Sequence, residues 1–469
     1  MLDILIKNSL AVTMDKKRRI LPKCSIGIKD GVIVEIGTDI ISDAKKTIDA
    51  GSSYALPGFI NCHTHIYQAL IEGIGYDMHF SPWNIRYLAP LVANMGPEHA
   101  KVSAELAALE MIKSGTTTFS DHWYLHTDFR NIDEVAEAFD KSGLRSHLVF
   151  GFLNKSFAGR KNSSTNLKMI KGENNLLKEA EAFIKKWHRK NRTTVALGPG
   201  STEDVSESMF KKIVRMGRET DISVVTHISG WIEIVSKSLE KYGLRDLEYA
   251  YSLGFGDPKD ILIHGTWLSS AEIKLLSETG TKVVHNPVAN MHLGYGVAPV
   301  PEMIARGVTV GLGTDGAASY TYDMFEIGKT AAMLAKVIKL DAEALTAEKA
   351  LEMLTIDGAK VLRLDDITGS LEAGKRADII LVDYKQPHIM PGGKPVPKIV
   401  YSAKGSDVVT SIVDGRIIME NKKVLLLDEQ KVMENADRLR EDLYKKAGKD
   451  VDLLLNAKWP DSRASWRMV

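Results

Sequence analysis

The 469-residue sequence predicts an α/β fold: a TIM-type (β/α)8 barrel with a small β-sandwich domain built from both termini. Three observations predict it. Strand-like apolar runs alternate with helix-like periodic stretches through the middle of the chain, the pattern of parallel strands joined by crossover helices. Eight such runs can be picked out, the number that closes this kind of barrel. Polar, metal-capable residues follow several of the runs, and a barrel gathers its active site where its strands end.

Residues 1–57 read as the first part of the sandwich. "DILIKNSLAVTMD", "CSIGIKDGVIVEIG" and "KKTIDAG" are β-branched segments punctuated by Asn-Ser and Asp-Gly turn signals. The barrel is expected over 58–365, with candidate strands at 55–65, 115–124, 145–153, 193–201, 222–230, 260–268, 282–291 and 308–319. Helical patterns fill the gaps; "EHAKVSAELAALEMIKSG" and "SAEIKLLSETG" each end in Gly, a common helix C-terminus. Strand texture returns in "ADIILVDY" and "VVTSIVDGRIIMENKKV", so 366–425 should complete the sandwich, because two incomplete strand sets would leave open edges. Over 426–469 a helix and tail are expected, with Val432, Ala436, Leu439 and Leu443 at helical spacing.

With 61 basic and 60 acidic residues the net charge is +1, which gives no electrostatic case for nucleic acid or an anionic membrane as partner. No apolar run approaches the roughly 20 residues of a membrane helix. Cys24 and Cys62 cannot build a disulfide framework, and the first residues lack the features of a secretion signal. The expected location is the cytoplasm.

The chemistry starts from "HTH". Residues i and i+2 of a strand point to one face, so His63 and His65 can reach one cation, and neutral imidazole suits zinc or ferrous iron. The pair alone is a weak signal. It gains weight because Asp121, His122, His227, His264, His285 and Asp315 also follow apolar runs.

"LPGFINCHTH", "HNPVANMHLGYGVAPVPEM", "GTDGAAS", "TIDGAKVL" and "GSLEAGKRADIILVD" resemble the amidohydrolase superfamily, in order along essentially the whole chain. The likeness is to the branch of S-adenosylhomocysteine and guanine deaminases and s-triazine amino- and chlorohydrolases. It implies one divalent metal per subunit, Zn2+ by expectation with Fe2+ or Mn2+ as alternatives, held by His63, His65, His227 and Asp315. Such an ion lowers the pKa of a bound water towards ~7, so that hydroxide can attack a ring carbon. Asp315 would take that water's proton, His264 would steady the adduct, and His285 is a further catalytic candidate. Trp83, Gln68, His122 and Tyr320 are the expected substrate contacts, beside the aromatic residues Tyr322, Trp231 and Trp267. A small heterocyclic substrate and a homo-oligomer, dimer or tetramer, complete the expectation.

One departure matters. The branch usually carries His-x-x-Glu at the third histidine, and the glutamate shuttles protons to the ring and the leaving group. Here "HISG" places Gly230 at that position. Losing a general acid typically costs 10²–10⁴ in rate. Glu233, Asp121, His122 and Glu203 are the candidate substitutes, and Gly200 stands where the deaminases often carry histidine. A second metal on His227 and His264, bridged by Glu203, would be another answer. Deamination of an N-heterocycle is the expected reaction. Hydrolytic dechlorination, or displacement of an alkylthio group, is the alternative. A metal-retaining binding or assembly protein is the reading from another class.

Overall fold

The computed structural model describes residues 1–38, 40, 42–155 and 168–456, so the end of the expected tail lies outside the described residues. Each of the eight expected barrel stretches contains one barrel strand, the first also taking in residues 55–57 of the terminal sheet: β6 (Phe59–Thr64), β7 (Thr116–Trp123), β8 (Arg145–Phe152), β9 (Thr193–Pro199), β10 (Val225–Ile228), β11 (Ile261–His264), β12 (Lys282–His285) and β13 (Val310–Leu312). They run parallel and are almost wholly buried, because helices cover the outer face while side chains fill the inside.

Strands β6 to β9 and β10 to β13 form two four-stranded ladders that meet at two seams. At the first, Leu197 bridges Val224 and the backbone N–H of His227 donates to the carbonyl of Gly200 at 3.1 Å. At the second, the N–H of Asp315 donates to the carbonyl of His63 at 2.9 Å. Both seams therefore run through residues expected to bind metal.

The ends of the chain share one nine-stranded sheet. It contains β1 (Leu2–Val12), β2 (Ile20–Lys29), β3 (Val32–Gly37), β4 (Ala44–Asp49), β5 (Ser53–Pro57), β14 (Ile379–Asp383), β15 (Val408–Val413), β16 (Arg416–Glu420) and β17 (Lys423–Val424). Antiparallel pairing of β5 with β14, Ala55 opposite Leu381, joins the two halves and closes the edges each would otherwise expose. Ile6, Ile26, Ile33, Ile379 and Ile412 share one core, so the sheet folds back on itself. The expected sandwich is thus a single hydrogen-bonded sheet curled around its own interior.

Barrel and sheet are tied by a buried ion pair: Arg145, at the start of β8, donates to both carboxylate oxygens of Asp378 at 2.9 and 3.1 Å. The expected terminal helix spans Glu429–Ala447, started by the Asp428 side chain accepting from the Lys431 N–H. It buries Val432, Ala436, Leu439 and Leu443. Full burial of a Val or Leu side chain contributes about 1.5–3 kcal/mol. Asp442 faces His99 at 2.9 Å, which places the helix against Pro97–Lys113 of the barrel.

Candidate metal centre

Strand alternation aims His63 and His65 inward from the end of β6, and β10 delivers His227 from across the barrel. The Nε2 atom of His227 lies 3.2 Å from Nε2 of His65 and 3.3 Å from Nε2 of His63. Asp315 Oδ1 stands 3.6 Å from Nε2 of His63 and 3.5 Å from Nε2 of His65. Its Oδ2 faces Nε2 of His264 at 3.8 Å.

The ring protons are assigned by the partners of the opposite nitrogens. His65 Nδ1 donates to the carbonyl of His122 at 2.8 Å, and His227 Nδ1 to the carbonyl of Gly200 at 2.5 Å. Those bonds leave the Nε2 lone pairs pointing into the centre. Burial lowers the basicity of His63, His65 and His264, and brings His227 down to about 4, so the imidazoles are neutral at pH 7. Lone pairs facing one another at such distances repel unless a cation lies among them. The donor set of neutral nitrogens and one carboxylate therefore fits a divalent ion.

The backbone is bent to make this arrangement. His264 and Asp315 have φ of 78° and 69°, a left-handed conformation uncommon away from glycine and costing of order 1–3 kcal/mol. His264 Nδ1 is anchored by the Asn290 Oδ1 atom at 2.9 Å, a shorter contact than the 3.3 Å to Asn286 Nδ2.

Above the centre opens a cavity of about 410 Å³. Phe80, Trp83, Trp231 and Tyr295 form an aromatic wall, with Phe80 and Trp231 ring centroids 4.4 Å apart. Lys155, Lys237, Lys241, Glu203 and Asp204 make a charged region of the same cavity.

The structure brings some expected residues to this cavity and keeps others away. His65, His227, His264, Asp315, Trp83, Gln68 and Trp231 line it, while His63 is buried beneath. Gln68 also accepts from the Ala317 N–H at 2.8 Å, which holds the loop after Asp315. His122 and Tyr320, expected as substrate contacts, lie outside the lining. His122 is buried with Nε2 on the carbonyl of Gly198 at 3.0 Å. Tyr320 has φ of 56°, is 40% exposed and packs on His292. His285 is buried on β12 outside the cavity wall, where burial pushes its ring down to about 3. Tyr322 is buried outside the lining too, and Trp267 is half-exposed with its Nε1 donating to the Tyr295 carbonyl.

Position 230 does face the site: a Cβ built on Gly230 meets Cδ2 of His264. Among the candidate substitutes, Asp121 is a strand-end cap, accepting from the Ile66 N–H at 2.7 Å and the Thr64 hydroxyl at 3.3 Å. Glu233 sits in the first turn of the helix Ile232–Tyr242, outside the lining. Glu203 reaches the cavity but faces Lys241 at 3.7 Å rather than bridging His227 and His264. Sequence reasoning passed over Asp204, the next residue. It lines the cavity, accepts from the Ser201 hydroxyl at 2.9 Å, and burial pushes its carboxyl up to about 6. Its signal was its place in "GPGSTED", directly after a strand end.

Comparison with known proteins gives these features a setting. The chain is 38% identical over 446 residues to a 5'-deoxyadenosine deaminase of Methanosarcina mazei, covering 94% of this chain and 99% of that one. The structure matches an adenosine deaminase from Xanthomonas campestris with bound zinc, at a TM-score of 0.89 and 26% identity over 95% of this chain and 99% of that chain. Its fold is also that of an atrazine chlorohydrolase from Arthrobacter aurescens complexed with zinc, at a TM-score of 0.86 and 24% identity over 93% of this chain and 100% of that chain. The pattern of the amidohydrolase family matches residues 54–418, most of the sequence. With the whole barrel and its converging histidines inside that match, the chain belongs to the amidohydrolase family.

Proposed function

We propose that the protein is a metal-dependent aminohydrolase that replaces an amino group on a ring carbon of an adenosine-type heterocycle with oxygen from water, releasing ammonia. The observation that carries this reading is the convergence of three imidazole Nε2 atoms and the Asp315 carboxylate beneath an aromatic cavity. His63, His65, His227 and Asp315 would hold the ion, and zinc suits this nitrogen-rich set. A divalent ion held there supplies Lewis acidity and a more acidic water.

The remaining work falls to the chain's own residues. Phe80, Trp83, Trp231 and Tyr295 offer faces on which a flat ring can stack. Asp315, between the ligand nitrogens and His264, takes the proton of the attacking water. His264 donates through Nδ1 to Asn290, so its Nε2 can accept a proton and only afterwards donate one. Among the described residues three carboxyls line the cavity: Asp315 turns to the ligand nitrogens, Glu203 faces Lys241, and Asp204 accepts from the neutral Ser201 hydroxyl. Asp204, desolvated and held up at about 6, is the proton donor to the departing amine in this scheme.

A second reading, displacement of chloride or an alkylthio group, is favoured by Gly230, because such groups need less protonation. We take the cytoplasm as the compartment, since both cysteines are free. Exposed Met333, Val337 and Leu340 on and just after the helix Met324–Lys339 support a homo-oligomer.

A side-by-side assay of the zinc-loaded protein on adenosine, 5'-deoxyadenosine and chlorinated and alkylthio triazines tests these readings. Ammonia release from the nucleosides is expected. Chloride or thiol release alone would replace the first reading with the second. Bound metal without turnover of any would leave a binding or assembly protein.

A further inference from the structure

We propose that His122 is an additional ligand of the same single ion, a residue outside the His63, His65, His227 and Asp315 set. The inference rests on reading the cavity floor as a metal centre. Among the described residues, two groups of metal-capable side chains have ligand atoms within 4.8 Å of one another: His63, His65 and Asp315, and His63, His122 and His227. They share His63. The His122 ring lies nearly parallel to that of His227, 10° between planes and 5.3 Å between centroids.

The hydrogen bonding of His122 leaves one nitrogen unused. Nε2 lies 3.0 Å from the carbonyl of Gly198, which can only accept, so Nε2 carries the proton and Nδ1 carries the lone pair. Gly198 permits this approach, since a Cβ there would sit 2.9 Å from Nε2. The Nδ1 atom is buried and has no hydrogen-bond partner among the described residues. A buried acceptor without a donor is costly, and a cation meets the need. His126 offers a useful contrast: its Nε2 also sits on a carbonyl, that of Gly151, and its Nδ1 also lacks a partner, but it belongs to neither group. Convergence with His63 and His227 therefore distinguishes His122, beyond its bare lone pair. An added imidazole favours nitrogen-preferring ions such as Zn2+, Fe2+ or Co2+ over Mn2+ or Mg2+.

The backbone carbonyl of His122 fixes His65, and a side-chain substitution leaves that bond in place. His122→Phe keeps a flat ring against His227 and removes the ligand nitrogen. The test compares the full-length wild-type protein, His122→Phe and His126→Phe for zinc affinity by chelator competition, metal stoichiometry, and the visible spectrum of the cobalt-substituted form. Thermal unfolding confirms that each variant is folded. Expected are one equivalent in the wild type, zinc held at least about tenfold more weakly by His122→Phe, and a changed cobalt spectrum in that variant only. Unchanged affinity and spectrum in folded His122→Phe would overturn the inference while leaving the metal centre standing. So would two equivalents in the wild type, which would mean a separate site. A wild-type protein that binds no metal would overturn the centre itself and this inference with it.

Discussion

A Cβ built on Gly230 would lie 3.0 Å from Cδ2 of His264 and 3.3 Å from its Cγ. The position that carries glutamate in the resembled branch thus looks straight at a ring lining the cavity. Gly230→Glu should raise ammonia release from an aminated heterocycle at least about tenfold. This lies below most of the range for a general acid, because His264 must yield a few tenths of an ångström. Gly230→Ala brings the crowding without the acid and should only slow the reaction. Unchanged turnover in a fully metallated Gly230→Glu protein would show that proton delivery was not limiting.

If Asp204 donates the proton, Asp204→Asn should lower amine release by about 10²–10⁴ while a substrate with a better leaving group suffers less. The wild-type rate should fall as pH rises through about 6, where burial holds this carboxyl, and the variant should lose that limb. Glu203→Gln, at the Lys241 contact, serves as the comparison. Equal losses in both would point to general damage of the loop.

His63→Ala and Asp315→Asn each remove a group from the converging set. Both should lower bound metal, measured by elemental analysis of the purified protein, and cut activity by about 10³ or more. Full metal content together with full turnover in either variant would dismantle the proposed centre.

Acid should destabilise the fold through histidines distant from the reaction. His147 on β8 is buried, with Nδ1 3.0 Å from the Ser120 hydroxyl, and burial pushes it down to about 3. The unfolded chain takes up this proton near pH 6.5, the folded chain only near 3, so stability is full above 6.5 and falls as the pH drops. Between pH 6.5 and 5 the loss is about 2 kcal/mol for this side chain. Urea unfolding across that interval should show a shallower decline in His147→Gln than in the wild type; equal slopes would remove His147 from the account.

Asp378→Asn should destabilise the protein by about 3 kcal/mol, the low end for breaking a buried ion pair, because the buried Arg145 guanidinium keeps its 3.5 Å contact with Asp414. Burial pushes the Asp378 carboxyl up, but Arg145, together with the Asp414 N–H and the Thr368 hydroxyl, more than offsets this and holds it below the usual range. Denaturant midpoints measure the cost, and metal content should stay near normal, since the pair lies at the barrel–sheet junction.

What could be read in advance follows from periodicity. The twofold repeat of a strand puts His63 and His65 on one face, and the helical repeat of Val432, Ala436, Leu439 and Leu443 marks the side that the terminal helix buries. What escaped depends on loop conformation or depth. Tyr320 follows Asp315 closely, but a left-handed backbone at Tyr320 goes with a side chain outside the cavity. His122 points inward as strand alternation requires, but sits below the cavity instead of beside it. Asp204 is one residue past Glu203, and only the fold of that loop decides that Asp204 takes the Ser201 hydroxyl while Glu203 turns to Lys241.

The two joints that close the ring are stitched by the same residues that would grip the ion. Stripping the cation should therefore be felt as mechanical slackening around the whole circumference, beyond the loss of a reagent. Amide hydrogen exchange would register it first at His227 and Asp315, where the hoop is fastened, before the interior rungs of either half.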